Sequence, residues 1–310
     1  MNKHVLRADW LLLLTAVIWG CAFVAQRSGM RYVGPFTFNG LRFTLGGFAL
    51  IPLIIYRNHR YGMQSGVGST FFSSKFMKKG LLIGTVLFCG ASLQQIGMVF
   101  TTAGKGGFIT GLYVILVPII GLFLGHRLGW SGWTGSILAT FGMYLLSVTD
   151  TLSIERGDLW VLGSAFFCAI HVLILGWLSP KMDTIKLACA QFLVCAALSL
   201  AIAAITEPLS LSGISDGILP ILYGGLMSVG IAYTLQVFAQ KDAPPAHASI
   251  ILSLETVFAA VSGWILLDES LTLRAIVGCV LMLAGMFLVQ LWPASIPEKP
   301  LSRMEPRTAA

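Results

Sequence analysis

The sequence predicts an all-α integral membrane protein of ten transmembrane helices, set out as two inverted halves of five. Three observations lead there. First, of 310 residues 56% are hydrophobic and 11% charged, whereas a soluble domain averages about 25% charged. Such a chain lacks the polar surface to face water on all sides. Second, ten apolar stretches can be drawn, each near the roughly 20 residues that cross a bilayer. Third, the pattern occurs twice. Leu93-Gln94-Gln95, Ala103, Leu112-Tyr113, His126-Arg127-Leu128, Gly135 and Gly142-Met143 are answered by Leu235-Gln236, Ala246, Glu255-Thr256, Glu269-Ser270-Leu271, Gly278 and Gly285-Met286. From Ala103 onward the offset is a constant 143 residues, while Asp9 and Arg42-Phe43 match Asp158 and Gln191-Phe192 at 149.

The first stretch, 9–26, imitates a signal peptide, with Lys3 and Arg7 before an apolar run ending in Ile18-Trp19-Gly20-Cys21. Trp19 is too bulky for a cleavage box and later spans anchor the chain, so this reads as an uncleaved first span. The second, 35–56, carries Arg42 seven residues in from Pro35, about 10 Å deep at ~1.5 Å per residue. Segment 57–79, rich in Gly, Ser and basic residues, is the expected flexible insert. The third, 80–100, holds Gln94 and Gln95. The fourth, 107–125, contains Pro118, which removes a backbone hydrogen bond and predicts a kink. The fifth, 132–149, is short. The sixth, 158–178, has His171 near its centre, and the seventh, 187–205, carries Gln191. The eighth, 217–239, holds Tyr233 and Gln236; the ninth, 247–267, has Glu255 at its middle; the tenth is 273–292. The tail 293–310, with four prolines, is expected to be disordered.

Residues 1–149 and 150–292 are thus the two halves, and an odd number of spans in each inverts one relative to the other. Lys105-Gly106-Gly107 and Pro244-Pro245 interrupt the chain just before spans four and nine and are expected pivots. Val261 stands where the first half has Pro118, so only the first half is expected to be hinged by proline.

The net charge of +7 is distributed for a membrane, not for nucleic acid. With ten spans and a cytoplasmic N-terminus, only Arg27, Arg31, Lys105, Arg156 and Arg274 fall outside, and Arg42 lies within a span. Every other Lys and Arg is cytoplasmic, as the positive-inside rule requires, and so are both termini. The six cysteines all lie within the apolar stretches and form no CxxC pair; they read as small packing residues, with no disulfide or metal site. No P-loop is present, so the chain does not hydrolyse ATP by that motif. No cofactor is expected.

The run Tyr233-Thr234-Leu235-Gln236, Ala239-Gln240, Ala248, Ser253-Leu254-Glu255-Thr256-Val257-Phe258, Gly263-Trp264, Asp268-Glu269, Leu271, Gly278 and Ala284-Gly285 resembles the EamA family of the drug/metabolite transporter superfamily. The first half adds Trp19-Gly20, Leu41-Arg42-Phe43 and Gly107-Phe108-Ile109-Thr110-Gly111-Leu112-Tyr113. The chain departs from the family with Glu255-Thr256 for the usual Glu-Pro, Asp268-Glu269 for Gly-Glu, and His126-Arg127 for Glu-Arg. The resemblance spans about residues 9–292. It implies a 5+5 inverted repeat in a bacterial inner-membrane carrier that moves small metabolites, often amino acids, usually outward.

Polar side chains at membrane depth are costly and mark candidate sites. Glu255 must face a wet cavity, pair with a cation or carry a proton; it is read as a proton-coupling or substrate-amine site, against a structural hydrogen bond made by the neutral acid. His171 is a proton relay or a satisfied packing residue. Arg42 binds a substrate carboxylate or holds the halves together. Gln94 and Gln236, matched between the halves, offer donors and acceptors to a zwitterion, or serve as interhelical links. Trp19, Tyr113 and Tyr233 are aromatic cavity walls or packed aromatics. Two similar membrane halves with a site between them mark a secondary transporter with alternating access, with protons open as the coupling ion. An intramembrane enzyme would need an organised motif such as HExxH or GxSxG, which is absent. A channel would need a polar stripe along one helix. Small-residue faces such as Gly107-xxx-Gly111 permit a homodimer without requiring one.

Overall fold

A computed structural model describes residues 3–61, 73–125, 129–147, 156–268 and 272–292. Among the described residues the secondary structure is helical, without strands. The apolar runs leave backbone groups no partner in hydrocarbon, and an α-helix satisfies them internally.

In chain order the helices are α1 (Lys3–Gly29), α2 (Pro35–Tyr61), α3 (Ser74–Met98), α4 (Ala103–Gly111), α5 (Tyr113–Phe123), α6 (Trp130–Ser147), α7 (Arg156–Leu178), α8 (Thr184–Thr206), α9 (Leu211–Asp216), α10 (Ile218–Leu222), α11 (Thr234–Ala239), α12 (Pro245–Leu252), α13 (Glu255–Leu267) and α14 (Leu273–Leu291). A π-helical stretch, Tyr223–Tyr233, joins α10 to α11. Among the described residues, eight helical segments are long and apolar enough to cross a membrane: α1, α2, α3, α4–α5, α7, α8, the unit Ile218–Ala239, and α12–α13. Leu273–Val289 is a shorter apolar helix, and α6, of 18 residues, packs along α14.

Helix starts are set by side chains that take up the orphan N–H groups. Ser73, Thr102, Asp183 and Thr272 cap α3, α4, α8 and α14. The Glu207 carboxylate reaches across from the end of α8 and accepts from Phe36 N and Thr37 N, each at 2.8 Å, at the start of α2. At the other kind of terminus, Arg27 donates to the carbonyls of Met98 and Val99 at the end of α3.

Three expectations are corrected. The insert 57–79 is helical at both ends, because α2 runs on to Tyr61 and α3 begins at Ser74; residues 62–72 lie outside the described set, as do His126-Arg127 and the tail. Lys105-Gly106-Gly107 lies inside α4 rather than before it, since the Thr102 cap starts that helix early. Nor is an interrupted helix confined to the half that carries the proline. Pro118 sits within the continuous α5, and the break falls earlier, at Leu112. The ninth stretch, without a proline, breaks at the matching place, between Leu252 and Glu255. Both breaks tighten through i−3 bonds, Leu112 N to Ile109 O and Leu254 N to Ile251 O, a 3-10 turn that needs no proline.

Helix pairs approach closely where glycines meet. On the α6–α14 crossing, a Cβ at Gly142 would stand 2.6 Å from Gly278 O, and one at Gly285 would stand 2.8 Å from Gly135 O. Only hydrogen fits there, so the two backbones touch directly. The buried apolar residues form one large cluster around α1, α5, α7, α12 and α14 and a second around α2, α3, α7 and α8.

Candidate functional site

Between these clusters lies a cavity. Its wall is drawn from α1, α2, α3, α4, α5, α7, α12, α13 and the π–α11 unit. Trp19, Arg42, Gln94, Tyr113, His171, Tyr233, Gln236 and Glu255 all line it.

Glu255 is the first residue of α13, directly after the break. Tyr113 is the first residue of α5, directly after the matching break. The breaks therefore set the first residues of two half-helices at the cavity wall, with the backbone hydrogen-bonded across each turn. Glu255 is 3% exposed. The Tyr113 hydroxyl stands beside its carboxyl, yet neither Tyr113 Oη nor Glu255 Oε1 completes a hydrogen bond. No cation pairs with Glu255 among the described residues.

Arg42 is 2% exposed and likewise has no carboxylate partner among the described residues. Its guanidinium lies 5.5 Å from the Phe38 ring and 5.1 Å from the Phe43 ring, and its Nε is unpartnered. Aromatic faces partly offset the burial of a cation but leave its fork of donors unused. Tyr233 is within electrostatic reach of both Arg42 and Glu255. Its ring meets Trp19 edge-on at 4.5 Å and His171 at 6.1 Å.

His171 Nε2 donates to Gln191 Oε1 at 2.9 Å. Gln191 is the residue that answers Arg42 in the repeat, so the second half places an amide where the first places a cation. Gln94 Nε2 donates to Thr110 Oγ1 at 3.1 Å. Gln236 keeps Oε1 unpartnered. Gln95 and Gln240 do not line the cavity; they bond to the carbonyls of Gln26 and Val172.

Unforeseen from the sequence, Phe23, Gln26, Thr110, Cys168 and Ser228 also line the cavity. Phe23 and Gln26 were within reach of the sequence: with Trp19 they recur at +4 and +3, one face of a helix. Ser228 contributes its carbonyl, which accepts from Trp19 Nε1 at 3.3 Å. That contact depends on the π-helical backbone, which carries no sequence signal. Among the described residues no three His, Cys, Asp or Glu side chains group as a metal site.

Membrane-length helices around one charge-bearing cavity fit a membrane transport protein. The sequence model of the EamA-like transporter family matches residues 6–148 and again 155–291, and the chain belongs to that family. It is a multi-pass membrane transporter, not an enzyme, with a small-molecule substrate and the lipid bilayer as its partners. An "uncharacterized transporter" of Archaeoglobus fulgidus is 30% identical over 92% of this chain and 86% of its own. The "uncharacterized transporter YoaV" of Bacillus subtilis is 22% identical over 89% of this chain and 94% of its own. A "probable amino-acid metabolite efflux pump" of Escherichia coli is 28% identical over 161 residues, 50% of this chain and 49% of its own. One solved crystal structure shares the fold, with a TM-score of 0.74 at 18% identity, over 92% of this chain and 96% of that one.

Proposed function

We propose that this chain is a secondary exporter of small zwitterionic metabolites of the amino-acid kind, working by alternating access in the bacterial inner membrane. One observation carries this reading: two buried charge-bearing side chains, Arg42 and Glu255, line one cavity and do not pair with each other. A buried charge without a partner is expensive. A solute with a carboxylate for Arg42 and an ammonium for Glu255 would supply both partners at once. The Arg fork suits a carboxylate bidentately, and Trp19, Tyr113 and Tyr233 wall the space around the solute's side chain. The efflux-pump relative supports the substrate class.

The Glu255 carboxyl holds either a proton or an ammonium, not both. A proton arriving from outside then displaces the solute, and the solute arriving from inside displaces the proton. That competition makes proton antiport the natural coupling, with His171 as a relay within the same cavity.

The architecture in this reading is ten spans in two inverted halves, 1–149 and 150–292, with α6 and α14 as spans five and ten and both termini in the cytoplasm. Helix packing supports it. Under exchange of the halves, the α3–α7 contact maps onto the contact of the π–α11 unit with α1, and α4–α7 maps onto α12–α1. The α2–α8 and α6–α14 contacts map onto themselves. Such pairing gives two similar units that can rock about the cavity. Small-residue faces leave room for a homodimer.

The test is counterflow in proteoliposomes loaded with a mixture of amino acids and related metabolites. Saturable exchange of zwitterionic solutes is expected. Exchange confined to solutes that lack either the amine or the carboxylate would overturn the substrate class.

A further inference from the structure

We propose an anionic-phospholipid site at the membrane surface between the start of α3 and the end of α7, built from Lys79, Lys181 and Trp177. Trp177 lies in the last turn of α7, where an indole suits the interface. Lys181 Nζ, from the 3-10 turn after α7, is 4.7 Å from the centre of its ring, and Lys79 Nζ, from α3, is 5.9 Å from it. Two ammonium groups from separate elements thus converge on one ring. Among the described residues no carboxylate lies within 4.0 Å of either.

The neighbouring acid, Asp183, is committed elsewhere. Its Oδ1 accepts from Ile185 N and Lys186 N as the cap of α8, and its Oδ2 lies 3.7 Å from Arg57. The patch therefore keeps a surplus of positive charge that aromatic contact does not neutralise. A phosphate is the chemistry that fits: compact, anionic, and able to bridge two lysines.

The flank decides between a lipid and a soluble phosphate. One turn deeper on α3 than Lys78 and Lys79, Leu81 and Leu82 are 57% and 48% exposed. Leu82 lies three and four residues beyond Lys79 and Lys78, on the same helix face. A headgroup held by the lysines would lay its acyl chains along this apolar strip, which a free anion would leave unused. The surface charge of an anionic leaflet adds to the attraction. The site stands apart from the cavity and does not depend on the transport reading.

The test uses the purified full chain and native mass spectrometry with phosphatidylglycerol, phosphatidylcholine and inorganic phosphate. Wild type should retain phosphatidylglycerol under conditions that strip phosphatidylcholine. Each lysine is worth about fivefold in affinity for an anionic surface, so the K79Q/K181Q variant should bind phosphatidylglycerol at least about tenfold more weakly. K241Q, which removes another exposed lysine that does not stand over the Trp177 ring, should bind as wild type does. Lys181 lies exposed in a short turn, so K181Q alone remains folded and should still lose several-fold. Equal binding by wild type and K181Q overturns the site. Equal losses in K181Q and K241Q also overturn it, by showing a response to net charge alone. Phosphate that displaces phosphatidylglycerol and binds as tightly overturns the lipid as occupant.

Discussion

Asp9 and His247 lie 238 residues apart in sequence and 2.6 Å apart in the fold, where His247 Nε2 donates to Asp9 Oδ1. The bond ties the start of α1 to the start of α12. It has a counterpart: Asp158, which answers Asp9 in the repeat, lies 2.7 Å from Lys105 and ties the start of α7 to the start of α4. Each bond pins the first turn of a broken span to its neighbour, at the end away from the break.

If the Asp9–His247 bond braces α12, its loss should cost stability and couple the two residues. Asp9→Asn and His247→Ala should each lower stability by about 1–2 kcal/mol, and the double variant should cost less than their sum. Thermal unfolding of the four proteins in one detergent reads this directly. Strict additivity would show that the contact contributes nothing.

Close backbone contact at the α6–α14 crossing predicts a steep cost for a single methyl. Gly142→Ala sets a Cβ 2.6 Å from a backbone oxygen that cannot swing aside, whereas Gly163→Ala sets one 3.5 Å from a leucine methyl. The first should destabilise by about 1–3 kcal/mol, as overpacking does, and the second by little. Equal melting temperatures for the two variants would contradict the packing described.

Arg42 is expected to bind the carboxylate of the solute. Arg42→Gln, which makes the position like its counterpart Gln191, should raise KM by about 10- to 100-fold, the worth of a charged hydrogen bond. Arg42→Lys should recover part of this, because an ammonium lacks the fork. Uptake kinetics over a range of solute concentrations check it; an unchanged KM would assign Arg42 to holding the helices.

Tyr113 places its hydroxyl beside the Glu255 carboxyl. Tyr113→Phe keeps the ring and the packing. It is expected to slow gradient-driven transport several-fold while lowering stability by no more than about 1 kcal/mol, the worth of one neutral hydrogen bond.

The sequence carried the fold through features that are local or repeated. Apolar stretches announce helices whatever they pack against, and Glu255, His171 and Arg42 stood out because charge within an apolar stretch is conspicuous. The helix breaks were not legible: Pro118 drew attention as a chemical breaker, while the turns at Leu112 and Ser253-Leu254 arise from tertiary contacts, such as Thr256 Oγ1 donating to Gly107 O at 3.1 Å. The Asp9–His247 bond was equally hidden, since pairing between distant helices leaves no spacing to read. Trp19, Phe23 and Gln26 are intermediate, sharing a helix face whose direction only the packing fixes.

The most direct test of the central claim is to follow internal pH while solute leaves proteoliposomes, for wild type and Glu255→Gln. If Glu255 holds the proton or the ammonium in turn, acid outside should speed wild-type efflux, and protons should enter as solute leaves. Glu255→Gln should then show no proton entry and no response to the gradient, with its melting temperature preserved. Proton-coupled efflux at the wild-type rate in Glu255→Gln would contradict the account.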